Sequence, residues 1–214
     1  MILNDNTTLT LIGTLTNAGT LTLNSVGNPT SLLLSGDVTL TGGGTVTLSN
    51  TTANRILGTA STDRLTTNNL IQGAGQIGVN LMALTNSGTI RANQTASLTI
   101  DPSATGAINT GTLEAVSGGT LILSDGTFTN TGATVRADTG STVTVTSATV
   151  TGGTVDVLGT GILNVTSSTI SGAGVTLTGA GNLNLSSAAI TGSTVTNSAT
   201  GTIRTTGGAN VLGT

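Results

Sequence analysis

Short bursts in which an apolar residue alternates with a small polar one recur along the whole chain. Thr142-Val143-Thr144-Val145-Thr146 is one, and Thr20-Leu21-Thr22 and Thr45-Val46-Thr47 are others. A period of two puts successive side chains on opposite sides of an extended backbone, so each burst predicts a short strand. Helix is disfavoured throughout, because Thr, Val, Ile, Gly and Asn are poor helix formers. Thr and Val favour strands, and Gly and Asn between the bursts supply turns. The chain therefore reads as all-β.

The bursts fall into a repeat. From Thr131 onward the units 131–150, 151–170, 171–190 and 191–210 align end to end. Gly132, Gly152, Gly172 and Gly192 coincide, as do Val135, Val155, Val175 and Val195, and Val143, Leu163, Leu183 and Ile203. Upstream, 110–130 and 87–109 are slightly longer copies, while 8–86 carry the same vocabulary in looser register. Each unit holds three bursts, centred in the second half near Val135, Val143 and Val150, separated by Gly, Ser or Asn corners. Three short strands per unit make one turn of a triangular coil. Stacking the turns pairs each strand in parallel with its copy in the next unit, about 4.8 Å away. The predicted fold is a parallel β-helix of about ten coils, right-handed because parallel crossovers almost always are. One solenoid domain covers 1–214, with irregular coils over 1–86 and regular ones over 87–214.

Stacking makes columns, and two of them stand out. The residue after the first apolar position of each unit runs Arg91, Glu114, Arg136, Asp156, Thr176, Thr196. Charges of alternating sign one strand spacing apart attract, so this reads as an outward charge ladder worth about 0.2–1 kcal/mol per pair. The second column is read as Asn86, Asn109 and Asn130, continued by Val150, Ile170 and Ile190. Replacement by apolar residues points inward, and buried Asn amides need partners, which the next Asn in the stack can provide. Phe128, the single aromatic residue, is placed in an inward column with Ala107, Ala148, Ser168 and Ala188, where it fills core space.

Composition removes most chemistry. There are 50 Thr and 32 Gly, and no Lys, His, Cys, Trp or Tyr. Charged residues are 6% of the chain, against about 25% in an ordinary domain. Without Cys or His there is no thiol nucleophile, Ser-His-Asp triad or zinc finger, and without Lys no P-loop or Schiff base. A net charge of −3 has the wrong sign and density for nucleic acid. Purely apolar runs are short, Leu32-Leu33-Leu34 being typical, so no membrane insertion is expected. The hydrophobic fraction of 36% and its even spread argue against disorder. Met1-Ile2-Leu3 runs straight into Asn4-Asp5-Asn6, which has no signal-peptide form and suits an excerpt of a longer chain. The acids are dispersed, and only Asp138 and Asp156 stand where neighbouring coils could bring them together as a paired-carboxylate site. Calcium-binding nonapeptides are absent, and Gly42-Gly43-Gly44 is a corner rather than a phosphate loop. No catalytic, cofactor-binding or metal-binding residues are assigned, and no enzyme is expected.

Asn86-Ser87-Gly88-Thr89-Ile90-Arg91-Ala92, Asn109-Thr110-Gly111-Thr112-Leu113-Glu114-Ala115 and the unit 130–137 resemble repeats of very large bacterial surface proteins. These are the filamentous-haemagglutinin-like adhesins and autotransporter passenger domains, and Gln72-Gly73-Ala74-Gly75-Gln76-Ile77-Gly78 is similar to their Gly-rich turns. The resemblance covers at least 69–210 and implies an exported, rod-like stalk, adhesin or matrix component at the cell surface. It carries over no site residues. The expected partners are other copies of the chain, joined axially or laterally into filaments, neighbouring repeats of a longer chain, or a host or cell-surface receptor. Terminal coils without a polar cap favour such pairing. Two alternatives have a physical basis. Flat solenoid faces carrying Thr-x-Thr in register mark some ice-binding proteins. That pattern is broken on each face the repeat registers: Thr142 aligns with Ile162, Asn182 and Thr202, Thr144 with Asn164, Asn184 and Arg204, and the first-strand face carries the charge ladder. A polysaccharide-active β-helix would instead need clustered acids.

Overall fold

The computed structural model describes residues 1–213. All of its regular structure is β-strand, and every strand pairing is parallel. The chain is a β-solenoid of ten coils with three faces. The first face is a ten-stranded sheet running from Ile2–Asn4 to Thr194–Asn197. The other two faces belong to one 18-stranded sheet. They are continuous because two long strands, Thr8–Thr16 and Thr30–Thr41, bend around the corner between them. In every later coil a turn breaks that corner. One regular coil is Thr134–Ala137, Thr142–Thr146 and Thr149–Thr151.

The alternation explains the layering. Val135, Val143, Val145 and Val150 point inward and are buried, while the threonines between them face out. Val135 pairs with Val155 and Val155 with Val175, so the inward columns run vertically through the stack. A single apolar core extends from Leu3 to Ile190. No coil could hold such a core alone, because each covers the one beside it.

The step between coils varies with corner length. On the first face Thr20 meets Thr45, Thr89 meets Thr112 and Thr112 meets Thr134, each pair a different distance apart in the chain. From Thr134 the step becomes constant, through Thr154 and Gly174 to Thr194. Backbone conformation is strained at one recurring corner. Asp125, Ser147, Ser167 and Ser187 all have φ near +50° where the second face turns into the third. A left-handed non-glycine residue costs roughly 1–2 kcal/mol, so the stack holds four such corners against their preference.

Two column assignments need correction. Phe128 stacks between Ala107 and Val150, not with Ala148, Ser168 and Ala188. Val150, Ile170 and Ile190 therefore continue the Phe128 column rather than the Asn one. The cause is the corner after the third face. It runs Asn130-Thr131-Gly132-Ala133 in one coil and shrinks to Gly152-Gly153 in the next, so the constant step of the later units fails across it. Small side chains compensate for the Phe128 ring, since Ala92, Ala115 and Ala137 occupy first-face inward positions in the same part of the stack.

Candidate functional site

Two polar ladders run along the stack, one inside and one on the first face. Asn86 and Asn109 are direct partners, and Asn130 stands in the next coil. All three are buried. Asn86 Nδ2 donates to Asn109 Oδ1 at 2.8 Å, and Asn109 Nδ2 donates to Asn130 Oδ1 at 2.7 Å. Asn130 Nδ2 closes the ladder on the Ala133 carbonyl at 3.1 Å. The Asn-x-Gly spelling has a local reason. Asn86 Oδ1 accepts from Gly88 N at 3.2 Å, and Asn109 Oδ1 from Gly111 N at 3.3 Å, so each side chain folds its own turn. The ladder stops at the Gly152-Gly153 corner, where the shortened turn leaves no place for a folding side chain.

Arg91, Glu114, Arg136 and Asp156 are successive partners on the first face. Their roles are unequal. Glu114 is 2% exposed, and both arginines are 36% exposed in their side chains. Arg91 Nε meets Glu114 Oε1 at 2.6 Å, and Arg136 Nη2 meets Glu114 Oε2. One carboxylate thus holds two guanidinium groups, and these are the two ion pairs among the described residues. Asp156 forms no ion pair with Arg136. Burial pushes its carboxyl up, against the pull of Arg136 and a hydrogen bond from Thr154.

A second set of buried polar groups gave no repeat signal in the sequence. Asn54 Nδ2 donates to the carbonyls of Ser49, Thr51 and Ala74, and its Oδ1 accepts from Ser25 N, tying three coils at one corner. Its inward position was readable, because Asn54 is in phase with Ile56 in the alternating run Asn54-Arg55-Ile56-Leu57. Asp63 accepts from the Thr59 hydroxyl and from Thr59 N and Ala60 N. Burial works to raise its carboxyl, but these hydrogen bonds outweigh it and leave the value lowered. Asp5 is lowered chiefly by the Asn28 side chain and Val26 N. Asn69 Oδ1 is buried without a partner.

No catalytic constellation is assembled. No hydrogen bond or ion pair joins Asp138 to Asp156 among the described residues. Nor does any group of three or more Asp or Glu residues there stand close enough to share a metal ion. The concavities are shallow. A trough of about 130 Å³ on the third face is lined by Thr39, Leu40, Thr41, Thr66, Thr67, Asn68 and Ser87. Another of about 250 Å³ lies over the last coil, against Ser193, Val195, Leu212 and Gly213. No family model, curated protein or solved structure matches the chain.

Proposed function

We propose that the chain is a non-enzymatic structural and adhesive rod, part of an extracellular bacterial surface or fibre protein. The observation that carries this reading is the unbroken core. One apolar column passes through every coil, and the Asn86, Asn109, Asn130 ladder and Asn54 inside it hold neighbouring coils together. The acids follow the same logic: Glu114 pins two arginines, and Asp5 and Asp63 close loops. Small, uncharged side chains cover most outward positions, which suits lateral contact between rods or with a receptor. Met1, Ile2 and Ile12 at one end of the column, and Val211 and Leu212 at the other, are exposed apolar residues. Further coils of the same kind, or a second copy, would cover them.

Electron microscopy of the purified chain over a concentration series tests the assembly part. The expected images are filaments or side-by-side bundles that grow with concentration. Single ten-coil particles at every concentration, with a constant sedimentation rate, would remove self-association from the proposal.

A further inference from the structure

The third face carries a pattern that the first two lack. Its outward column starts at Thr14 and ends at Thr191, pairing coil to coil without a register shift. Every member has a hydroxyl except Ile108. A second rank stands two positions further along in the lower coils, as Thr16, Thr41, Asn68, Ser87, Thr110 and Thr131, Asn68 being its one member without a hydroxyl. Where the corner shortens, the second rank moves to the other flank, in Thr149 and Thr151. In this two-rank net the first rank repeats about every 4.8 Å along the axis, and where the second lies in the same strand, as at Thr16 and Thr41, it stands about 6.6 Å across from the first.

Three properties separate this net from an ordinary polar surface. First, its hydroxyls are mostly unspent. Thr85 accepts from Arg64, Thr151 meets Ser171 at 3.5 Å, and Ser87 and Thr110 donate to the Thr67 and Asn86 carbonyls, while the exposed Thr14, Thr39 and Thr129 hydroxyls bond to no side chain among the described residues. Second, the side chains are stiff. Thr is branched at Cβ and restricted at χ1, so ordered hydroxyls and methyls lose little entropy on meeting an ordered layer. Third, the trough of about 130 Å³ lies along the two ranks, between Thr39 and Thr66 on one side and Thr41 and Asn68 on the other. That is room for ordered water, flanked by groups that can hold it.

We propose that this third face binds ice, its two hydroxyl ranks and the trough between them anchoring a layer of water that continues into the crystal. The axial spacing is comparable to the shorter oxygen repeat of hexagonal ice, and a rigid parallel stack keeps it constant over many coils. The methyl groups exclude mobile water, and the hydroxyls fix the waters that remain. The charged residues of this face are Asp37 and Arg64 on one strand flank, and the Arg64 guanidinium reaches in to Thr85. The first face cannot serve, because Arg91, Glu114, Arg136 and Asp156 interrupt it. The second carries Arg55 and Arg204 in its outward columns. Crystalline polysaccharide offers the other flat hydroxylated surface. Its sugar rings are gripped by stacked aromatics, and the chain's single aromatic ring, Phe128, is fully buried.

The test compares three proteins of full length. Wild type should shape growing ice crystals, lower the freezing point below the melting point, and partition into a slowly frozen ice phase. Thr39→Lys with Thr129→Lys, on the third face, should abolish all three effects. Thr144→Lys with Thr166→Lys, on the second face, should leave them intact, with melting temperatures by circular dichroism equal across the set. Should the third-face lysines lower the melting temperature, Thr39→Val with Thr129→Val keeps the shape, and its ice activity should fall. Wild type without effect on ice overturns the proposal, as does equal loss in the second-face variant. Retention on crystalline cellulose without ice activity would give the face to a polysaccharide instead. The rod reading is judged by microscopy and is untouched by either failure.

Discussion

At the scale of single residues, backbone proximity decides which glycines are needed. Gly111 has an ordinary φ, yet a Cβ placed on it would overlap the carbonyl oxygen of Gly88 in the coil beside it. Gly174 stands in the equivalent sheet, and its nearest neighbour would be the Gly153 carbonyl oxygen at 4.0 Å. Gly111→Ala should therefore destabilise by about 1–3 kcal/mol, and Gly174→Ala should stabilise by about 0.4–1 kcal/mol through the unfolded chain. Urea titration of the two variants reads both signs.

The acids respond to pH in opposite directions. Asp63 has a carboxyl lowered below its usual 3.8, so its contribution is present above that value and is lost as pH falls through the lowered one. Asp101 and Asp156 are raised, mainly by burial. The folded state then favours their protonated form, so their contribution is present below 3.8 and is lost as pH rises through the raised values. Asp63→Asn should lower the melting temperature at neutral pH and flatten its decline in acid. Asp156→Asn should raise it slightly at neutral pH. Melting curves from about pH 2 to 7 distinguish the two.

At the scale of elements, the charge ladder is a buried anion with half-exposed cations. Glu114→Gln leaves two arginines that can reach water, and should cost about 1–3 kcal/mol. Arg91→Met with Arg136→Met strands a buried carboxylate, and should cost about 3–5 kcal/mol. Adding Glu114→Leu to that pair should restore most of the loss, because the apolar triple carries no desolvation penalty. Chemical denaturation of the three variants checks the order.

The same elements show what periodicity can reveal. Arg91 over Glu114 over Arg136 follows from counting, because strand positions between fixed corners keep their phase. Val150 over Phe128 does not, because the corner between them changes length and a constant step misplaces everything beyond it. The hydroxyl net of the third face was hidden for a related reason: its threonines flank the short third strand and become columns only once the corner is solved. Asn54 and Asp63 lie in the looser first half. There Thr20 pairs with Thr45, while Leu70 already pairs with Thr89, so the uneven steps leave no visible repeat.

At the scale of the whole molecule, each coil touches only its neighbours, so stability is a chain of nearest-neighbour terms. The coils that begin at Thr154, Gly174 and Thr194 are evenly spaced and meet through equivalent pairs. Removing 151–170 should leave Val135 stacked on Val175 with no gap in the core, and duplicating that segment should do the same. Both variants should fold, with melting temperatures near that of wild type and the length changed by about 4.8 Å. A collapse of cooperative unfolding in the deletion would refute the equivalence of these coils.

That interchangeability bears on inheritance as well as on folding. Unequal crossing-over between two such stretches of gene would add or drop a storey without breaking the reading of those above and below. Corners of uneven size act in the opposite sense, since a recombinant joined across 112–154 would put Phe128 opposite the wrong wall. Adding or dropping one of the evenly spaced storeys changes the height by about 4.8 Å and leaves the coils around the asparagines as they are.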